Sequence, residues 1–261
     1  MNASDSIPNQ FELLTQRVKD GKISRARLLV GLVLRTGLFA AVQAVIALVF
    51  FINRAENAWQ SSAGWWTVVA AAANLITIGV LIAFYRAEDG NYSDAVKLEK
   101  ETLGKDLLTA LGVMVVAAPL GVFPSYFGAM ALFGSQEAAN ALFIQPLPLW
   151  AAIIGLVVFP ITIAFAELPI YFGYLMPRLE ASGTPTWLSV LIPAFFLGAQ
   201  HCTLPLLFDW RFVVWRLIMF LPFALLLGIV LRWRPRLLPY LMVMHALLDF
   251  SAGWVVFSLS V

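Results

Sequence analysis

Charge is scarce in this 261-residue chain, with 12% Asp, Glu, Lys and Arg against 61% hydrophobic residues. Soluble domains carry about twice that charged share, so an ordinary soluble globular domain is excluded. The formal charge of +2 gives no basic field for a nucleic acid, and none is expected as a partner. Cysteine is nearly absent: Cys202 stands alone, which rules out an internal disulfide and leaves the redox compartment unread. It follows His201 directly, but adjacent helical residues point about 100° apart, so a passive thiol is expected rather than a nucleophile paired with that imidazole. A cleaved signal peptide is not expected either, because residues 1–27 are polar where an apolar stretch would be needed. No internal repeat is apparent, which weighs against a transporter built from inverted repeats.

What the chain does have is long apolar runs. Seven are expected to cross a bilayer, at roughly 30–52, 64–85, 107–133, 148–176, 188–208, 212–231 and 237–258. The fold class is therefore all-α, a polytopic membrane protein. The second-longest and longest runs, 107–133 and 148–176, exceed a minimal span and must tilt, bend or project, with Pro119, Pro124, Pro160 and Pro169 as places to bend. Thirteen of the seventeen Lys and Arg residues lie in the N-terminal tail and in 86–106, 177–187 and 232–236. Alternation of that kind puts the N-terminus in the cytoplasm and, with seven crossings, the C-terminus outside a plasma (inner) membrane. All nine tryptophans fall near expected helix ends, as interfacial belts require. Arg35 and Arg216 are expected to snorkel from near their span ends, and Gln43 and Asn74 to hydrogen-bond between helices. Residues 1–27 read either as an amphipathic helix on an anionic membrane surface or as a basic tail that sets orientation. The connector 86–106 reads as a surface helix.

Within the apolar runs, a few ionisable groups stand out. Glu167 sits in FPITIAFAELPIYFGYLMP, His201 in LIPAFFLGAQHCTLPLLF, and His245 and Asp249 in LLPYLMVMHALLDFSAG; the chain has no other histidine. A carboxylate in hydrocarbon is costly and marks a functional site when partners can be found. At 1.5 Å per residue, Glu167 lies about 14 Å from the cytoplasmic end of its helix, His201 about 20 Å, His245 about 12 Å and Asp249 about 18 Å. All four therefore fit one layer. His245 and Asp249, four apart, share a helix face. Glu167 can act as general base toward water. The imidazoles can donate to an oxyanion, or hold with Glu167 a Zn2+ or other divalent metal. Asp249 can ligate or orient His245. A water, a base and oxyanion donors make a peptide-bond hydrolase. Taken singly, the Glu could serve as a proton relay and each His as an interhelical hydrogen-bonding group.

These residues resemble the CPBP family of intramembrane proteases, which includes the CAAX prenyl endopeptidases and the Abi-type bacteriocin-immunity proteins. The family's Glu-Glu-x-x-x-Arg-Gly-Tyr-Leu is matched by Glu167-Leu168-Pro169-Ile170-Tyr171-Phe172-Gly173-Tyr174-Leu175, with Leu168 and Phe172 in place of the second Glu and the Arg. Its Phe-x-x-x-His corresponds to Leu197 through His201, with Phe196 one position early, and its His-x-x-x-Asn/Asp to His245 and Asp249. The resemblance covers roughly 150–255. It implies a glutamate-dependent endopeptidase opening toward the cytosol, in which Glu167 and His201 activate water while His245 and Asp249 hold the oxyanion or a metal. The implied substrate is a membrane-associated peptide or protein. A tail (1–27), an N-terminal helical part (28–147) and a catalytic helix core (148–261) are the expected divisions. A non-catalytic binding or immunity protein on the same fold, and a proton-coupled transporter using Glu167, are the competing readings.

Overall fold

The computed structural model describes residues 10–261; the part of the basic tail before Gln10 lies outside them. Among the described residues there are helices and no strands. They are α1 (Gln10–Lys19), α2 (Arg25–Ile52), α3 (Ala58–Ala63), α4 (Trp66–Arg86), α5 (Tyr92–Ala95) and α6 (Leu103–Phe133). After these come α7 (Gln136–Asn140), α8 (Leu149–Ala181), α9 (Thr186–Gln200), α10 (Trp210–Trp233) and α11 (Leu238–Ser258). The chain is an all-α polytopic membrane protein. Among the described residues six helices are long and apolar enough to cross a bilayer: α2, α4, α6, α8, α10, and α11 with its leading turn from Pro235.

The seventh expected span is not a continuous helix. The run 188–208 is helical only as far as Gln200, because Pro205 supplies no N–H and biases Leu204 away from helical backbone. Residues 201–209 carry on as irregular chain, and several of their backbone groups are bonded by side chains of neighbouring helices. Arg216 donates to the carbonyls of His201 (3.2 Å) and Leu204 (2.9 Å). Gln43 and Trp59 both donate to Leu206 O, and Gln43 Oε1 accepts from Leu206 N at 2.7 Å. Irregular backbone at membrane depth is tolerated when it is buried in protein and partnered in this way. The two halves together lead from Glu180, which Thr186 and Arg232 bond, to Phe208, which stacks on Trp59 beyond the end of α2. The described chain starts with α1 against the last turns of α8 and finishes with Ser260 bonded to Leu147 N, near the opposite end.

Other expectations shift too. Arg35 and Arg216 do not snorkel: both are buried. Gln43 and Asn74 do bond between helices. Trp215 is no belt residue but a core side chain, donating to Ser125 O at 2.9 Å, and Trp66 is buried as well. The connector is mostly irregular, with one four-residue helix, α5, in place of the surface helix. The alternatives for the tail are settled in part: α1 is a helix, with Leu14 buried against the molecule and Arg17 reaching Asp89 O.

Two apolar clusters divide the interior along the helix axes. One contains Leu32, Leu81, Leu168, Leu197, Leu227 and Leu241. The other contains Phe39, Trp66, Phe159, Leu204, Trp215 and Val256. On α2, α10 and α11 a polar or aromatic residue separates the clusters: Arg35 between Leu32 and Phe39, Phe220 between Trp215 and Leu227, His245 between Leu241 and Val256. Gln200 and His201 fall likewise between Leu197 and Leu204.

Candidate active site

Glu167 is presented by a helix that its own prolines disturb. In α8 the turns Ile154–Val158 and Pro169–Leu175 are π-helical. A single π-turn inside an α-helix often marks a functional site. Pro169 cannot donate to the carbonyl four residues back, Phe165 O, and Pro177 cannot donate to Gly173 O. Two tyrosine hydroxyls take the place of those amides. Tyr92 OH donates to Phe165 O at 2.5 Å and Tyr85 OH to Gly173 O at 3.1 Å. The segment carrying Glu167 is thus tied at both ends to α4 and to the connector after it.

Glu167 is fully buried, and its two oxygens have different surroundings. Oε2 accepts from Gln200 Nε2 at 2.8 Å and from Arg35 Nη2 at 3.2 Å. Oε1 has no aligned hydrogen bond. It lies 3.0 Å from His245 Nε2 and 3.8 Å from His201 Nε2, while His245 Nε2 lies 3.3 Å from Asp249 Oδ2. Glu167 Oε1, both nitrogens of each imidazole, and Asp249 Oδ2 are buried polar atoms without a hydrogen-bond partner. Buried polar groups are nearly always partnered, so a cluster of orphans marks a place where another group belongs. All four residues singled out from the sequence are brought together.

Besides these approaches to the carboxylates, both imidazoles lie against aromatic rings. His201 lies flat on Phe220, with centroids 3.6 Å apart and planes 13° apart, and His245 faces Phe223 at 6.1 Å and 26°. Phe220 and Phe223, three apart on α10, share a face of that helix and form a two-ring platform. Helices α10 and α11 are consecutive but pack against different partners, α10 on α6 and α9, and α11 on α8. Asp249, with 21% side-chain exposure against 10% or less for the other three, is where the cluster reaches the surface.

The sequence did not reveal the layer behind the carboxylate. Arg35 donates from Nε to Gln200 Oε1 (2.6 Å) and from Nη1 to Asn74 Oδ1 (2.7 Å), besides its bond to Glu167. Asn74 donates onward to Thr162 Oγ1, and Tyr171 OH to Gln200 Oε1. Leu168 and Phe172, on either side of Pro169, are buried in the apolar core.

The orphaned donors are of the right kind for a divalent ion. As they stand, however, no group of three or more His, Cys, Asp or Glu among the described residues is arranged to hold one. The side chains alone can offer water a carboxylate oxygen and can offer an oxyanion imidazole N–H groups. Cys202 plays no part in the cluster; its Sγ bonds Val213 O. Compared with models of known families, with curated proteins and with solved structures, the chain finds no match in any of the three.

Proposed function

We propose that this protein is a glutamate-dependent intramembrane endopeptidase of the CPBP kind, acting on a membrane-associated peptide or protein from a plasma (inner) membrane with its N-terminus in the cytoplasm. The observation that carries the reading is the meeting of orphaned Glu167 Oε1, the two imidazoles and Asp249 Oδ2 in one buried cluster. Water between Glu167 and His201 gives its proton to Oε1 as its oxygen bonds to the scissile carbonyl carbon. The oxyanion formed is stabilised by imidazole N–H, with Asp249 orienting His245. Collapse of the intermediate breaks the C–N bond, and the proton taken up by Glu167 passes to the leaving amine.

The test uses protein reconstituted in liposomes with a fluorogenic transmembrane peptide. Glu167→Gln is expected to abolish cleavage and Cys202→Ala to leave it intact; equal turnover in both removes Glu167 from the mechanism. Metal content by mass spectrometry, for the wild type and His201→Ala, decides whether Zn2+ or another divalent ion joins Glu167, His201 and His245.

A non-catalytic binding or immunity protein is favoured by one observation. Leu168 and Phe172 are packed into the core where the family's motif has charged residues. A buried ion pair can be replaced by apolar side chains at little cost in stability, so the fold alone does not require the motif. That reading expects the cellular effect to persist in Glu167→Gln.

A further inference from the structure

The carboxylate on which the hydrolase reading depends is not anchored by its own helix. Its Oε2 is fixed from α9 by Gln200 and from α2 by Arg35, which lies in the chain's first crossing. Arg35 is fully buried and uses three nitrogens in three directions: Nη2 to Glu167, Nε to Gln200 and Nη1 to Asn74. Its guanidinium also lies 5.0 Å over the ring of Phe39. Gln200 is oriented without ambiguity, since its oxygen accepts from Arg35 and Tyr171 while its nitrogen donates to Glu167. This closed ring of bonds settles which carboxylate oxygen faces the histidines.

We propose that Arg35 is a positioning residue for Glu167, supplied from α2, which with Gln200 and Asn74 locks Oε2 and leaves Oε1 as the only oxygen presented to the reacting water. The inference rests on the hydrolase reading. The helix that carries Glu167 offers it no cation, since Leu168 and Phe172 beside it are apolar core residues, and Arg35 supplies one from another helix. A lysine there carries the charge but not the fork, because an ammonium is a point charge and a guanidinium a planar set of fixed donors.

The experiment measures kcat and KM of Arg35→Lys, Arg35→Gln and Glu167→Gln on a transmembrane peptide, normalised to folded protein. Arg35→Gln is expected to lower kcat by about 100-fold, the effect of a misplaced reacting group, with KM within about threefold of wild type. Arg35→Lys is expected to fall between the two. Should either variant fail to fold, Asn74→Ala, which loosens Arg35 and keeps the ion pair, carries the same test with a smaller drop in kcat at constant KM. Wild-type turnover per folded molecule in these variants, with Glu167→Gln inactive, overturns the role of Arg35 and leaves the hydrolase reading standing. A change confined to KM or to folded yield also overturns it. Absence of cleavage by the wild type itself overturns the hydrolase reading, and the positioning role with it.

Discussion

At the scale of single residues, the site is built from side chains whose chemistry is out of place in hydrocarbon. Glu167, His201, His245 and Asp249 were legible because ionisable residues are rare within apolar runs, and their depths agreed. The ring platform was not legible, since Phe220 and Phe223 look like any lipid-facing aromatics until His201 is seen stacked on one of them. Phe220→Leu removes that ring contact, and kcat on a transmembrane peptide is expected to fall by about tenfold with thermal stability nearly kept. Unchanged kcat would mean that the stacking does not orient His201. Arg35 is buried rather than snorkelling for a physical reason. An apolar run counted from residue 30 puts it near a helix end, but α2 begins at Arg25, so Arg35 lies about 15 Å along the helix and has no interface to snorkel to. Gln200 is not legible in the sequence, because a neutral amide beside a histidine gives no signal until the carboxylate it serves is known.

At the scale of elements, prolines decide the shape of the site. Pro169 is legible in the sequence as a place to bend; that Tyr92 and Tyr85 bond the Phe165 and Gly173 carbonyls requires the fold. Tyr92→Phe is expected to destabilise the protein by about 1 kcal/mol, the ordinary worth of one such bond. Thermal unfolding in detergent checks this, and an unchanged midpoint would show that Phe165 O does not depend on the hydroxyl. Pro205 carried the signal for the end of α9, but the apolar run continued past it, and hydropathy alone drew one span where there is a half-helix and a bonded strand of irregular chain. Helix α11 approaches α8 closely at Gly253, where a Cβ would run into the backbone carbonyl of Gly155. Because backbone cannot move aside as a side chain can, Gly253→Ala is expected to cost about 1–3 kcal/mol. The same unfolding assay reads it, and wild-type stability would contradict the packing of α11 on α8. Outside the membrane, the Lys22 ammonium, bonded to Asp89 at 2.9 Å, holds the Asp89 carboxyl below its ordinary 3.8 while its own pKa rises above 10.5. The pair thus supports the docking of α1 between those values. It is lost as pH falls through the lowered carboxyl value or rises through the raised ammonium value.

At the scale of the whole molecule, α1 lies against the last turns of α8 while Ser260 bonds Leu147 N just before its first, so the two ends of the described chain lie at opposite ends of that helix. Six long apolar helices alone would return the chain to its starting side, so an odd number of crossings requires α9 with residues 201–209 to cross as well. Reporters placed at Gly90, Gly183 and Arg234 are expected on the cytoplasmic side, and those at Asn57, Asn140 and the C-terminus outside. A C-terminal reporter on the cytoplasmic side would show that the broken segment turns back without crossing. Between two apolar cores, one polar layer holds the residues on which every functional statement here depends. The most direct test is cleavage of a transmembrane peptide by the reconstituted protein in water enriched in oxygen-18. The account predicts one heavy oxygen in the new carboxyl terminus for the wild type and no product for Glu167→Gln. Product at wild-type rate from Glu167→Gln would contradict it.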